Sequence, residues 1–245
     1  MTDAEIVKHK LAARKLDLIK DRAFVFIKNN LGKISEYDVN KFVIREFKKE
    51  NLITDKNYSS QIVAANKNTS FVHYFPAKNK SGIIEKNCLI LLDIWAKLRG
   101  EGAPFADITW MAYAGKEIPT EIKEAFNKVI GAREFALEFI RRNLRQKELL
   151  KTVAVDGAVR KYFGKMKKNF AHGLGHSLGF TECHGNHFRF GRKSRAKMKS
   201  GIPFTIEPGL YFPGKFGIRS EINCYVTKDF KLEITTKVQK EIVKL

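Results

Sequence analysis

Two apolar stretches of this chain carry carboxylates at the same spacing. Asp93 closes "LILLD" and Asp107 opens "DITW" fourteen positions later, while Glu207 closes "PFTIE" and Glu221 opens "EINCY", again fourteen positions later. Gly100, Gly102 and Pro104 lie between the first two acids, and Pro208, Gly209, Pro213, Gly214 and Gly217 between the second two. Each pair predicts two antiparallel strands joined as a hairpin, with one carboxylate facing the other across the ladder. A carboxylate in an apolar strand is costly to bury unless it is paired, protonated or bound to a cation. An exposed face on an alternating strand accounts for one such acid, but poorly for four at matched spacing. No Arg or Lys lies inside the apolar runs, so the acids call for cations. Four carboxylates and one imidazole suit a pair of divalent ions, leaving positive character to acidify a bridging water. An oxygen-rich shell with one nitrogen favours Mn, Co or Fe over the thiolate-rich surroundings of structural zinc.

The acids sit in a chain that alternates helices and strands. Thr2 with Glu5 reads as a capping box, followed by Ala12, Leu16, Ile19, Ala23 and Phe26 at helical spacing, with Gly32 as the stop. Ser35 with Asp38 opens a second helix bearing Val39, Phe42, Val43 and Phe47. Strand-like runs follow: "SQIVAAN", "CLILLDIWAKL" and "FADITWMAYAG". Pro119 and Thr120 then open a long helix, "KELLKTVAVDGAVRKYFGKM" reads as another, and "IPFTIEPGLYF" and "IRSEINCYVT" as further strands. Helices, strands, helices, strands predict an α+β domain of two similar halves. With 245 residues, 44% of them hydrophobic, a single domain over residues 1–245 can bury its core.

The longest apolar run, "CLILLDIWA", is broken by Asp93 and falls short of the roughly 18 residues of a membrane span. The N-terminus "MTDAEIVKHK" lacks a signal-peptide layout, and Cys88, Cys183 and Cys224 are odd in number with no CxxC pair. The expectation is a cytoplasmic protein with reduced thiols and no membrane partner. The net charge of +20 is read mainly as dispersed lysine bias. One interval differs: between Asp156 and Glu207 a single acid, Glu182, meets eleven basic residues, including "RKSRAKMK".

That interval contains "AHGLGHSLGFTECHGNH", which holds four of the six histidines: His172, His176, His184 and His187. The glycines favour extended chain over a helical H-x3-H zinc site. His187 and His9 are expected at the surface, Glu182 has no assigned role, and Trp95 and Trp110 are expected in the core or a pocket wall.

In order along the chain, "HYFP", "LLDIWA", "FADITW", "HGLGHSLG…CHGN", "TIEPGLY" and "GIRSEINCYVT" resemble the motifs of the pita-bread metallopeptidases. That family includes aminopeptidase P, prolidase and methionine aminopeptidase. The resemblance implies two pseudo-symmetric halves with helices packed on a curved, mainly antiparallel sheet. It also implies five metal ligands at Asp93, Asp107, His176, Glu207 and Glu221, with Asp107 and Glu221 bridging two ions, Mn or Co before Fe or Zn. A bridging hydroxide would attack the scissile carbonyl, and Glu207 would carry the proton toward the leaving nitrogen. His73 and His184 match the family's substrate-facing histidines. His172, four before the metal-ligating His176, matches aminopeptidase P and prolidase rather than methionine aminopeptidase, and the resemblance implies that it contacts substrate. Arg219 matches an arginine that orients the acidic ligands.

The implied activity is removal of an N-terminal residue from a peptide substrate, with Xaa-Pro preferred. Segment 189–199 could attract a peptide carboxylate and so favour short substrates. The resemblance is compatible with a homodimer. Aminopeptidase P and prolidase usually carry a separate N-terminal domain, which is not expected here, and "KLRGEGAP" lengthens the loop between Asp93 and Asp107. The alternatives are a methionine aminopeptidase and a non-catalytic module of the same fold that binds RNA, ribosomes or other polyanions. Nucleic acid is not the expected partner, because a scaffold has no need of the full ligand set.

Overall fold

A computed structural model describes residues 1–55 and 61–245, so Ser60 of "SQIVAAN" lies outside the described residues. Helix α1 (Asp3–Asn29) starts where Thr2 accepts from the Glu5 N–H and Glu5 accepts in return, the reciprocal bond that satisfies two orphan donors. Helix α2 (Glu36–Lys49) starts in the same way from Ser35 and Asp38. Short strands β1 (Leu52–Ile53) and β2 (Ile62–Ala65) follow, then a 3-10 turn (Asn66–Ser70) and the long strands β3 (Cys88–Leu98) and β4 (Ala106–Ala114).

The second half repeats helix before strand. Helices α3 (Thr120–Arg145) and α4 (Thr152–Phe163) lead through a 3-10 turn (Gly164–Asn169) into β5 (Gly175–Leu178) and β6 (His184–Phe190). Next come β7 (Phe204–Ile206), β8 (Gly209–Phe212), β9 (Phe216–Arg219), β10 (Ile222–Val226), β11 (Leu232–Ile234) and β12 (Val243–Lys244). Helix α4 begins at Thr152 rather than in "KELL", because Lys147 takes a left-handed φ of 56° that interrupts the helical path.

Among the described residues the strands form two five-stranded sheets and a separate ribbon, β8–β9, and all pairs are antiparallel except β12 with β4. In the first sheet β3 lies between β1, β2 and β4, and in the second the order is β11-β10-β7-β5-β6. Alternation along β3 and β4 divides two cores. Ile90, Leu92, Ile94, Ile108 and Ala112 pack with α1 and α2, whereas Leu89, Leu91, Trp95, Met111 and Tyr113 pack with the second half. Asp93 and Asp107 share the odd register, so both face the second half rather than water, and they are 7% and 6% exposed. Each fully buried Leu or Ile contributes roughly 1.5–3 kcal/mol to holding these layers together.

The second acidic pair departs from the hairpin expectation. β7 does pair with β10, with Ile206 opposite Ile222. The chain leaves β7 at Glu207, builds the β8–β9 ribbon, and re-enters at Glu221. In the first pair the acids are diagonal rather than opposite, since Asp93 faces Thr109 and Asp107 faces Trp95.

The two halves are stitched by polar contacts at β4 and β10. The Asn223 side chain accepts from the Asp107 N–H at 2.9 Å and donates to its carbonyl at 2.6 Å, while the Glu221 N–H donates to the Thr109 carbonyl at 3.2 Å. His9 corrects a surface expectation. It is fully buried, with Nδ1 2.8 Å from the Phe105 carbonyl and Nε2 2.8 Å from the Thr235 hydroxyl, linking α1 to both halves. No helix among the described residues is long and apolar enough to cross a membrane. Cys88, Cys183 and Cys224 are free and buried.

Candidate metal centre

Where the halves meet, donor atoms of Asp107, His176 and Glu221 lie within 4.8 Å of one another, and all three residues are buried. Asp107 comes from β4, Glu221 from the residue before β10, and His176 from β5. The approach of β5 to β7 is close: a Cβ on Gly175 would stand 2.1 Å from the Thr205 carbonyl, so only glycine fits before His176. Thr205 uses that proximity. Its hydroxyl accepts from the His176 N–H at 3.0 Å and donates to Glu207 Oε1 at 3.0 Å, aligning two candidate ligands through one side chain.

The tautomer of His176 follows from its neighbours. Nδ1 lies 3.1 Å from the Ser177 carbonyl, which can only accept, so Nδ1 carries the proton and Nε2 presents its lone pair. Nε2 is 3.4 Å from Glu207 Oε1 and 3.8 Å from Asp107 Oδ2. A backbone carbonyl behind one nitrogen and oxygens before the other is the arrangement of a metal-ligating imidazole.

Two buried carboxylate oxygens, Asp107 Oδ1 and Glu221 Oε1, have no hydrogen-bond partner among the described residues. Glu221 Oε2 accepts from the Thr109 hydroxyl at 2.8 Å, and Asp107 Oδ2 from the Cys183 thiol at 3.2 Å. Each acid is thus anchored through one oxygen while the other is left over. Burial, then repulsion from Asp93 and Glu207, pushes the Asp107 carboxyl well above the usual range. Glu221 is raised well above it by burial and then by Asp107, and burial pushes Glu207 up to about 7. Desolvated, mutually repelling carboxylates with unused oxygens fit a divalent cation, whose charge would relieve both penalties.

Arg219 organises the rest. It ion-pairs with Asp93 and donates to the Thr109 hydroxyl at 3.1 Å, to Tyr211 at 3.0 Å and to the Val72 carbonyl at 3.1 Å. Burial opposes its charge, yet Tyr211, Asp93 and the neighbouring acids keep the guanidinium well above its usual value. Asp93 thus reaches the centre engaged by Arg219 and stands outside the three-residue donor cluster.

The accessory histidines surround this core. The His184 ring lies against His176, with centroids 4.0 Å apart and the planes tilted by 53°. His172 Nδ1 lies 2.8 Å from the Gly173 carbonyl, so in the neutral ring Nε2 accepts from Tyr211 at 2.8 Å. Burial, with Arg219 adding to it, lowers His172 to about 3, which keeps the ring neutral. His73 is exposed at the rim, next to the Val72 carbonyl that Arg219 holds, and burial followed by Arg219 lowers its pKa. His187 is exposed, as expected, and so is Glu182.

The sequence pattern of metallopeptidase family M24 matches residues 8–228. The chain belongs to metallopeptidase family M24. An uncharacterized peptidase of Methanocaldococcus jannaschii is 32% identical over 233 residues, covering 92% of this chain and 61% of that protein. Prolidase from Thermococcus sibiricus superposes with a TM-score of 0.81 at 26% identity, covering all of this chain and 62% of that one. Xaa-Pro dipeptidase from Bacillus anthracis gives a TM-score of 0.82 at 26% identity, with 100% and 63% covered. The chain therefore spans about three fifths of the length of these relatives. The likeness to prolidases carries the pita-bread fold with it.

Several residues of this M24 centre escaped the sequence reading. Thr109 and Asn223 each stand two positions beyond an acid, Asp107 and Glu221, so strand alternation places them on the acids' face. That signal was available. Thr205, two positions before Glu207, carried the same signal, whereas Tyr211 and Cys183 carried none, because their roles depend on how the ribbon and loops fold back over the site.

Proposed function

We propose that this chain is a metal-dependent exopeptidase that releases an N-terminal residue from peptides, with preference for Xaa-Pro. The observation that carries this reading is the buried cluster of Asp107, His176 and Glu221, with an unpartnered oxygen on each acid. Asp93, Asp107, His176, Glu207 and Glu221 would hold two divalent ions. When bound, the ions supply Lewis-acid activation of water and of the scissile carbonyl.

The chain's own groups perform the remaining tasks. Glu207, held through Oε1 by the Thr205 hydroxyl at 3.0 Å, would carry the proton toward the leaving nitrogen. Burial and Arg189 keep His184 neutral, and His73 is lowered as well. Each can therefore donate from one ring nitrogen and accept at the other, which suits a peptide group. Arg219 and Tyr211 hold Asp93 and His172 in place. A lean toward dipeptides rests on Arg189, an exposed cation paired in register with His176, placed to meet a nearby carboxylate.

A panel of Met-Ala-x, Xaa-Pro and Xaa-Pro-x peptides with Mn, Co and Zn tests this reading. The expected result is metal-dependent cleavage of Xaa-Pro bonds, lost in His176→Ala and Glu207→Ala. Cleavage of Met-Ala-x alone, or salt-sensitive RNA binding without bound metal, would overturn it.

A further inference from the structure

The loop between β5 and β6 delivers a thiol to the centre, and three contacts fix where it lies. The Gly179 N–H donates to the Cys183 carbonyl at 3.1 Å, closing the loop on itself. The Phe105 N–H donates to the Gly179 carbonyl at 2.9 Å, tying the loop to the chain just ahead of β4. The Cys183 N–H donates to the Asp55 carboxylate at 3.2 Å. The closure also demands a glycine, since a Cβ on Gly179 would stand 2.4 Å from the Glu182 carbonyl. Cys183 is 4% exposed and belongs to the apolar core of the second half.

From this fixed position Sγ donates to Asp107 Oδ2 at 3.2 Å. The backbone of Asp107 is independently clamped, its N–H and carbonyl both held by Asn223. With the backbone and one carboxylate oxygen both held, little rotation about the side-chain bonds remains. The other oxygen, Oδ1, is buried and unpartnered, as is Oε1 of Glu221. The sulfur itself is not a member of the donor cluster of Asp107, His176 and Glu221 among the described residues.

We propose that Cys183 is a positioning residue for cation binding: its S–H bond to Oδ2 holds the Asp107 carboxylate in a fixed orientation beside His176 and Glu221. This rests on the reading of Asp107 as a metal ligand. A thiol suits the task physically. It is a weak donor that costs little to bury in apolar surroundings, and its bond strengthens against an ionised acceptor. Groups one step removed from a metal typically change its affinity 10–100-fold when lost, which sets the size of the effect.

The test compares Cys183→Val, which keeps bulk and removes the donor, with Cys183→Ser, which keeps a donor. Mn2+ affinity is measured by titrating chelator-treated protein, and the absorption spectrum of the Co2+-loaded protein reports coordination geometry. Cys183→Val is expected to weaken Mn2+ binding about 10- to 100-fold and to alter the Co2+ spectrum, with Cys183→Ser staying within about threefold of wild type. Should Cys183→Val fail to fold, Cys183→Ala carries the same expectation, with thermal melting of the metal-free form as its folding control. Wild-type affinity and an unchanged spectrum in the donorless variant would overturn the proposal. An equal loss in Cys183→Ser would also overturn it, by assigning the effect to packing. A wild-type protein that binds no Mn2+, or an Asp107→Asn variant that binds it normally, would instead overturn the ligand reading on which the inference rests.

Discussion

The two halves bring their acids to the same place by different routes. In the first, β3 and β4 form one continuous hairpin, and Asp93 and Asp107 project from it among apolar neighbours. In the second, the chain breaks off at Glu207, builds the β8–β9 ribbon and returns at Glu221. That detour supplies Tyr211 and Arg219, while β5 supplies His176. The first half thus contributes charge it cannot neutralise with its own strands, and the second contributes the guanidinium, imidazole and phenol that organise it. Equal spacing in sequence conceals an unequal division of labour.

Removing what the second half lends to the first should have the largest effect. Arg219→Met leaves Asp93 buried without its ion-pair partner, and such a break costs about 3–5 kcal/mol. Urea unfolding of the metal-free protein checks this. A loss below about 1 kcal/mol would mean that Asp93 does not depend on the ribbon.

Removing an acid from the second half should act in the opposite direction. Glu207 is raised from 4.5 to about 7, so the folded state holds the proton more tightly than the unfolded chain. Its contribution is therefore complete below pH 4.5 and is lost as pH rises through about 7. In cation-free protein at pH 8 that loss amounts to about 3 kcal/mol. Glu207→Gln should then be more stable than wild type in chelator at pH 8, with the gain vanishing near pH 4. Added Mn2+ should raise the melting temperature of wild type and do so much less in the variant. Thermal melts across pH, with and without Mn2+, measure both. A variant less stable than wild type at pH 8 would show that the acid is satisfied without a cation.

The contrast between the halves also marks what the sequence could reveal. The capping boxes at Thr2 and Ser35 depend on residues three apart, and local physics suffices to read them. The matched acids were legible for a related reason, since burying a charge in an apolar run is costly wherever the strand lies. Their mutual geometry was not. The diagonal offset of Asp93 and Asp107 is set by the register of the hairpin, and the detour after Glu207 by where the ribbon packs. The identity of the imidazole required the family resemblance, because four histidines crowd one Gly-rich segment and only the fold separates His176 from its neighbours.

The seam itself offers a smaller test. Asn223→Ala removes the amide that satisfies both backbone groups of Asp107, leaving a buried donor and acceptor unpaired. The expected cost is about 2 kcal/mol, with weaker Mn2+ binding, because Asp107 loses its backbone clamp. Urea unfolding and Mn2+ titration check the two effects. Unchanged stability would indicate that the halves are held by their cores alone.

The smallest predicted effect lies at the far end of the same seam. His9 occupies the buried stripe of α1 with Ile6, Ala12, Ala13 and Leu16, and its spacing placed it there although its polarity suggested the surface. Burial lowers its pKa from 6.5 to about 4, against a raising influence from the Phe105 carbonyl. The neutral ring is thus favoured by folding, and its contribution is intact above pH 6.5 and is lost as pH falls toward 4. Between pH 7 and pH 5.5 the loss should reach about 1 kcal/mol. His9→Gln, which has no proton to gain in this range, should flatten that part of the stability curve, whatever its own constant cost. Urea midpoints at pH 7 and 5.5 compare the slopes. Because His9 reaches both the Phe105 carbonyl and Thr235, an unchanged slope would mean that this end of the seam tolerates a charge.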